Sequence, residues 1–219
     1  MDQLEKQNAY LREIDVDYSY RLAKKMETFR TNEVLGYRTA GSAAEIETGR
    51  MLAEEMRAIG LKDVHMDEII IDSWEFRKAV MRFKDSQGIL HEFQLGAYQA
   101  DFLTDGFASF QIEDLGKGTA ADYEGRDVTG KLVMVDINQR EEWWINFPVY
   151  QAHLKGAAGL IAVQENGYGE IDDTALNAQD LAGPCDAPAF SMSRSDAALL
   201  RRELRSKGSV TVEFDGLQP

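Results

Sequence analysis

Two short runs constrain the fold most: Leu132-Val133-Met134-Val135 and Leu160-Ile161-Ala162-Val163. Uninterrupted apolar runs of this length read as strands buried in a sheet. Between them Pro148 is well placed as the first residue of a helix running to about Gly156, because its missing N–H costs nothing there. Strand, helix and strand in succession predict a mixed α/β fold, with packed β layers and flanking helices. Composition agrees: of 219 residues 44% are hydrophobic and 28% charged, ordinary globular values that exclude disorder of the whole chain.

The flanking sequence extends this pattern. In the first thirty residues Leu4, Leu11, Ile14, Tyr18, Leu22, Met26 and Phe29 form one apolar stripe, broken near Asp15-Val16-Asp17, with Asp17 as cap of the second helix. Ser42-Ala43-Ala44-Glu45 is a capping box. The helix it opens has Ile46, Leu52, Met56 and Ile59 on one face and ends at Gly60. Residues 64–71, with Ile69-Ile70-Ile71, read as a strand buried on both faces. Residues 79–83 and 89–93 form a hairpin around Lys84-Asp85-Ser86-Gln87-Gly88. Further strands are expected at 107–112, 189–192 and 210–214, with a polar loop over 164–184. Ser193 caps a helix that carries Leu200 and Leu204 and stops at Gly208.

Charge and cysteine count exclude function classes. With 24 Lys+Arg against 38 Asp+Glu the net charge is −14, which repels phosphate backbones and anionic membrane surfaces, so neither nucleic acid nor membrane is expected as a partner. Cys185 is the single cysteine, so no intrachain disulfide and no thiolate zinc cluster can form. The N-terminus has no apolar core of a signal peptide, and a cytoplasmic location is the expectation.

Several segments together resemble one family. Arg38-Thr39-Ala40-Gly41-Ser42, Glu47-Thr48 and Ile59-Gly60-Leu61 resemble the opening segment of the zinc aminopeptidases related to glutamate carboxypeptidase and the transferrin receptor. Three more pieces resemble the protease-associated (PA) domain of those proteins: the segment from Gly125 through Gly130-Lys131 to Val135, then Ala152-His153-Leu154-Lys155-Gly156-Ala157-Ala158-Gly159-Leu160-Ile161, then Ala187-Pro188-Ala189-Phe190-Ser191-Met192-Ser193. The resemblance implies that residues 1–74 are N-terminal helices and the first strand of an incomplete peptidase domain. Residues 75–219 would be a PA-type swivelling β/β/α domain inserted after that strand. It also implies that the zinc ligands (a His-x-Asp, a bridging Asp, a Glu-Glu pair, an acidic residue and a distal His) follow the inserted domain. No cofactor is then expected in this chain, with zinc and the peptide substrate belonging to the missing catalytic part. The protein would be a fragment of a zinc aminopeptidase, inactive alone, with its PA domain as lid or contact surface. The alternative is a stand-alone interaction module. A homodimer through the N-terminal helix or the strand at 64–71 is expected.

Candidate chemical groups are few. His65-Met66-Asp67 spells a two-ligand strand motif, but the only other histidines are His91 and His153, so a closed metal site lacks ligands. A separate enzyme centred on His65 and Asp67 is the weakest of three readings. Glu54-Glu55 and Glu141-Glu142 lack a pocket-forming context. Ser191, Ser193 and Ser195 lack a Gly-x-Ser-x-Gly elbow. Cys185 has no nearby cation to activate it. Gly116-Lys117-Gly118-Thr119 is only part of a phosphate loop. Arg140, Trp143, Trp144 and Phe147, between the first core strand and its helix, are the candidates for substrate or partner contact, because aromatic side chains with a polar neighbour concentrate at interfaces.

Overall fold

A computed structural model describes residues 3–33, 35–71, 74–98, 101–142, 144–166, 171–179 and 187–218. Trp143, Pro184 and Cys185 lie outside the described residues. The chain divides into two compact units, Met1–Ile71 and Asp72–Pro219.

The first unit holds α1 (Gln3–Glu13), α2 (Val16–Met26) and α3 (Ala43–Ala58). The break between α1 and α2 falls where expected, but Asp15, not Asp17, is the cap. Asp15 has extended backbone and its carboxylate accepts the Tyr18 N–H at 2.8 Å, whereas Asp17 already lies in the first turn. Neither helix fully buries a residue, and Leu4 and Leu11 are exposed. On α3 the Ser42 hydroxyl accepts the Glu45 N–H and the Glu45 carboxylate accepts the Gly41 N–H, close to the expected box. The buried face of α3 is Ala44, Thr48 and Met51, however, while Ile46, Met56 and Ile59 are exposed. Periodicity names an apolar face, and among the described residues of this unit no sheet covers it.

Residues 64–71 correct a second expectation. They form no strand, and Ile69, Ile70 and Ile71 are all exposed. A strand exists only through a ladder partner, and none pairs with this segment among the described residues.

The second unit is a mixed sheet. Its strands are β1 (Lys78–Lys84), β2 (Leu90–Gln94), β3 (Gly96–Tyr98), β4 (Phe102–Leu103), β5 (Ala108–Asp114), β6 (Leu132–Ile137), β7 (Gly159–Gln164), β8 (Ala178–Gln179), β9 (Ala189–Met192) and β10 (Val210–Gln218). Their order is β2-β1-β10-β5-β6-β7-β9-β3-β8, with β4 on β10. The centre, β5-β6-β7-β9, is parallel, and β10, β1 and β2 continue it antiparallel. The expected hairpin is β1–β2, with Lys84 opposite Leu90 and the Asp85 carboxylate accepting the Gln87 and Ile89 amides. β10 runs past the expected Phe214 because β1 and β4 pair with its far end.

The sheet curls on itself. Phe190 of β9 and Phe214 of β10 lie four strands apart, about 19 Å if the sheet were flat at 4.7–4.9 Å per strand. Their ring centroids are 4.7 Å apart, and Phe102 packs edge-on against both. The two helices of this unit cover opposite faces. α4 (Asn146–Leu154) sets Val149 and Ala152 against the face that carries Val133, Val135, Ile137, Leu160 and Ala162. It starts two residues before Pro148, because Ile145 is buried and its carbonyl accepts the Val149 N–H. α5 (Arg194–Lys207) buries Ala197, Leu200 and Leu204 over the other face, after the expected Ser193 cap and before Gly208 at φ 79°.

One glycine fixes a backbone approach. A Cβ at Gly96 would lie 2.0 Å from the Asn177 carbonyl oxygen, which accepts the Ala97 N–H where β8 joins β3. Gly96→Ala is expected to cost about 2 kcal/mol, typical of forced overpacking. Urea unfolding would check it, and a change below about 0.5 kcal/mol, the ordinary surface range, would contradict it.

Candidate functional site

The segment after β6 holds the aromatic candidates. Asn138 is buried at its start. Its side-chain oxygen accepts the Arg140 and Glu141 amides at 3.2 Å, and its amide donates to the Asn166 carbonyl at 2.9 Å. The start of the loop is therefore anchored. Arg140, Trp144 and Phe147 are all exposed. Phe147 shares the outer face of α4 with Tyr150 and Leu154, at steps of three and four, and all three are at least half exposed. Tyr150 and Leu154 were missed in the sequence, although the same 3.6-residue period marks them once the helix bounds are known.

A strap crosses this end of the sheet. Lys117 lies 3.2 Å from the Glu142 carboxylate in the aromatic loop and 2.7 Å from Glu165 after β7. Burial works against the Lys117 charge, but the two carboxylates outweigh it and hold the ammonium above its ordinary range. The strap lies flat on β6. A Cβ at Gly118, whose φ is +66°, would meet Val135 Cγ1 at 2.7 Å, and the Gly116 carbonyl accepts the Asp136 N–H. The two glycines serve close packing on a strand, not a phosphate cradle.

Beside the strap, the carboxyl ends of the parallel strands carry a charged cluster. Arg201 of α5 donates from Nε to Asp114 at the end of β5 at 2.8 Å, and its Nη2 lies 2.8 Å from Asp136 of β6. Burial pushes the Asp136 carboxyl up, and the Arg201 guanidinium only partly offsets this. For Arg201 burial opposes the charge, but Asp136 and Asp114 more than restore it. Sequence inspection passed over this cluster. Its one local signal was the charge that closes the first apolar run, Asp136 after Leu-Val-Met-Val.

The remaining candidates have structural roles. Ser193 accepts the Asp196 N–H as helix cap and lies 3.0 Å from Ser195, and Ser191 accepts the Asn177 N–H. Glu55 accepts the Tyr18 hydroxyl at 2.9 Å, which holds that phenol above its ordinary range. His91 pairs with Asp85 at 2.9 Å in the β1–β2 hairpin. His65 Nε2 lies 3.5 Å from Asp67, so the two do share a face, but both side chains are about three-quarters exposed or more.

No family model and no curated protein matches the sequence. Solved structures do match. An aminopeptidase from Aneurinibacillus sp. strain AM-1 aligns at TM-score 0.57 and 16% identity, covering 95% of this chain and 45% of that one. A zinc aminopeptidase from Bacillus subtilis aligns at 0.55 and 18%, covering 90% and 43%. A peptidase M28 precursor from Shewanella amazonensis aligns at 0.56 and 16%, covering 93% and 50%. The likeness is one of fold. This chain spans about half or less of the length of each.

Among the described residues no three His, Cys, Asp or Glu side chains converge, and the three histidines sit on separate elements.

Proposed function

We propose that this chain is a portion of a zinc aminopeptidase of the kind related to glutamate carboxypeptidase and the transferrin receptor, inactive alone. Its second unit is the PA-type domain, which acts as lid or as contact surface for substrate or partner through Arg140, Trp143, Trp144 and Phe147. One observation carries this reading: 90–95% of the chain aligns on aminopeptidase structures while filling only 43–50% of them. The exposed segment at 69–71 supports it, since its apolar residues face solvent as those of a central strand without its sheet. Pairing of that segment with a second copy, or of α1 with its counterpart, is the proposed route to a homodimer. A cytoplasmic setting is proposed from the lone cysteine.

The exposed stripe of Phe147, Tyr150 and Leu154 favours the second reading, an interaction module without peptidase activity. The gene separates the two. The reading frame is expected to continue beyond Pro219 into a His-x-Asp segment, and a stop codon at that point would leave the interaction module.

A further inference from the structure

A groove runs between α5 and the carboxyl ends of β5, β6 and β7. Two adjoining cavities of about 590 and 520 Å³ meet there and share Asp136, Arg201 and Arg205. Four arginines, including Arg126 and Arg194, face three carboxylates, including Asp114 and Glu165. Glu113 and Asp173 stand beside Arg126 and Arg194, and Lys117 beside Glu165, so the groove as a whole carries no net positive charge.

Three of the arginines are held. Arg201 is fixed between Asp114 and Asp136. Arg194 donates to the Asn166 side chain and lies 2.8 Å from Asp173. Arg126 donates to the Asp114 carbonyl at 3.2 Å. Arg205, one turn beyond Arg201, lines both cavities, is exposed, and has no ion pair or hydrogen bond among the described residues. Val163 and Ala198 supply an apolar wall on one side.

From this geometry we infer that the groove binds a small monoanionic carboxylate, with Arg205, the groove's one arginine without a carboxylate partner among the described residues, as its ion-pair partner. A guanidinium presents two parallel N–H groups that match a carboxylate. A phosphate dianion would gain the same hydrogen bonds but meet three carboxylates with twice the charge. The apolar wall accommodates the short hydrocarbon part of the ligand. The inference is independent of any peptidase reading, since it uses only this unit.

The test is a titration of the 219-residue protein with N-acetylalanine, N-acetylalaninamide and inorganic phosphate, followed by backbone amide NMR. N-acetylalanine is expected to give saturable shifts confined to residues 114–118, 165–166 and α5. The amide analogue should give none, and phosphate should bind at least about tenfold more weakly. Arg205→Gln should weaken N-acetylalanine binding about tenfold, the value of one charge-assisted contact, with unchanged thermal unfolding. Absence of saturable shifts with N-acetylalanine would overturn the inference. So would equal binding of its amide, equal or tighter binding of phosphate, or full affinity in Arg205→Gln.

Discussion

Phe190→Ala is expected to remove about 4 kcal/mol of folding free energy, near the upper range for a buried aromatic. The ring is fully buried. It contacts Phe214 at 4.7 Å and Phe102 at 5.1 Å between ring centroids, and these contacts close the curl of the sheet. The cavity left behind cannot collapse easily. β9 is tied by ladders to β7 and β3, and β10 to β1, β4 and β5, so neither strand can shift inward without losing hydrogen bonds. Loss therefore comprises the transfer of the ring, the cavity, and the edge-to-face contacts. Phe190→Leu should recover more than half of it. Urea denaturation at several wavelengths measures both, and a loss below about 1 kcal/mol for the alanine variant would mean that the three rings do not pack as a unit.

Arg201→Met is expected to cost about 2–3 kcal/mol at neutral pH, less than the 3–5 of a fully buried pair because Asp114 retains some solvent contact. The methionine keeps the packing of the stem on the sheet. What is lost is the counter-charge for Asp114 and Asp136, which then face each other across the carboxyl ends of β5 and β6. The pH dependence distinguishes this from a packing defect. The Asp136 carboxyl is already raised above 3.8 by burial, so the folded state binds its proton more readily than the unfolded chain. Its unfavourable contribution is absent below about 3.8, and it grows as pH rises through the raised folded value. Without Arg201 that value rises further. The stability difference between wild type and variant should therefore shrink as pH falls from 7 toward 4.5. Adding Asp136→Asn to the variant should recover part of the loss at pH 7. A pH-independent difference would contradict the electrostatic account.

How much of this was legible in the sequence depended on the range of the forces involved. β6 and β7 were legible because burial on both faces leaves uninterrupted apolar runs. The caps at Ser42 and Ser193 were legible because the interaction spans three residues. The β1–β2 hairpin was legible because both strands and the Asp85 turn are contiguous. β3, β4 and β8 were not, since two or three residues carry no period. The segment at 64–71 shows a different limit. Its composition states what it would bury, and only a partner strand decides whether it does. The face of α3 failed for the same reason. At the candidate site, the aromatic loop was legible as composition, but its continuation along α4 required the helix bounds. The Arg201 cluster depended on α5 folding back over β5 and β6, which no local pattern encodes.

The most direct measurement of the central claim is zinc-dependent hydrolysis of an aminoacyl p-nitroanilide, compared between the 219-residue protein and the same chain extended along its reading frame. The account predicts rates at the uncatalysed background for the 219 residues with or without zinc, and zinc-dependent turnover for the extended chain. Zinc-dependent turnover by the 219 residues alone, or none by the extended chain, would contradict it.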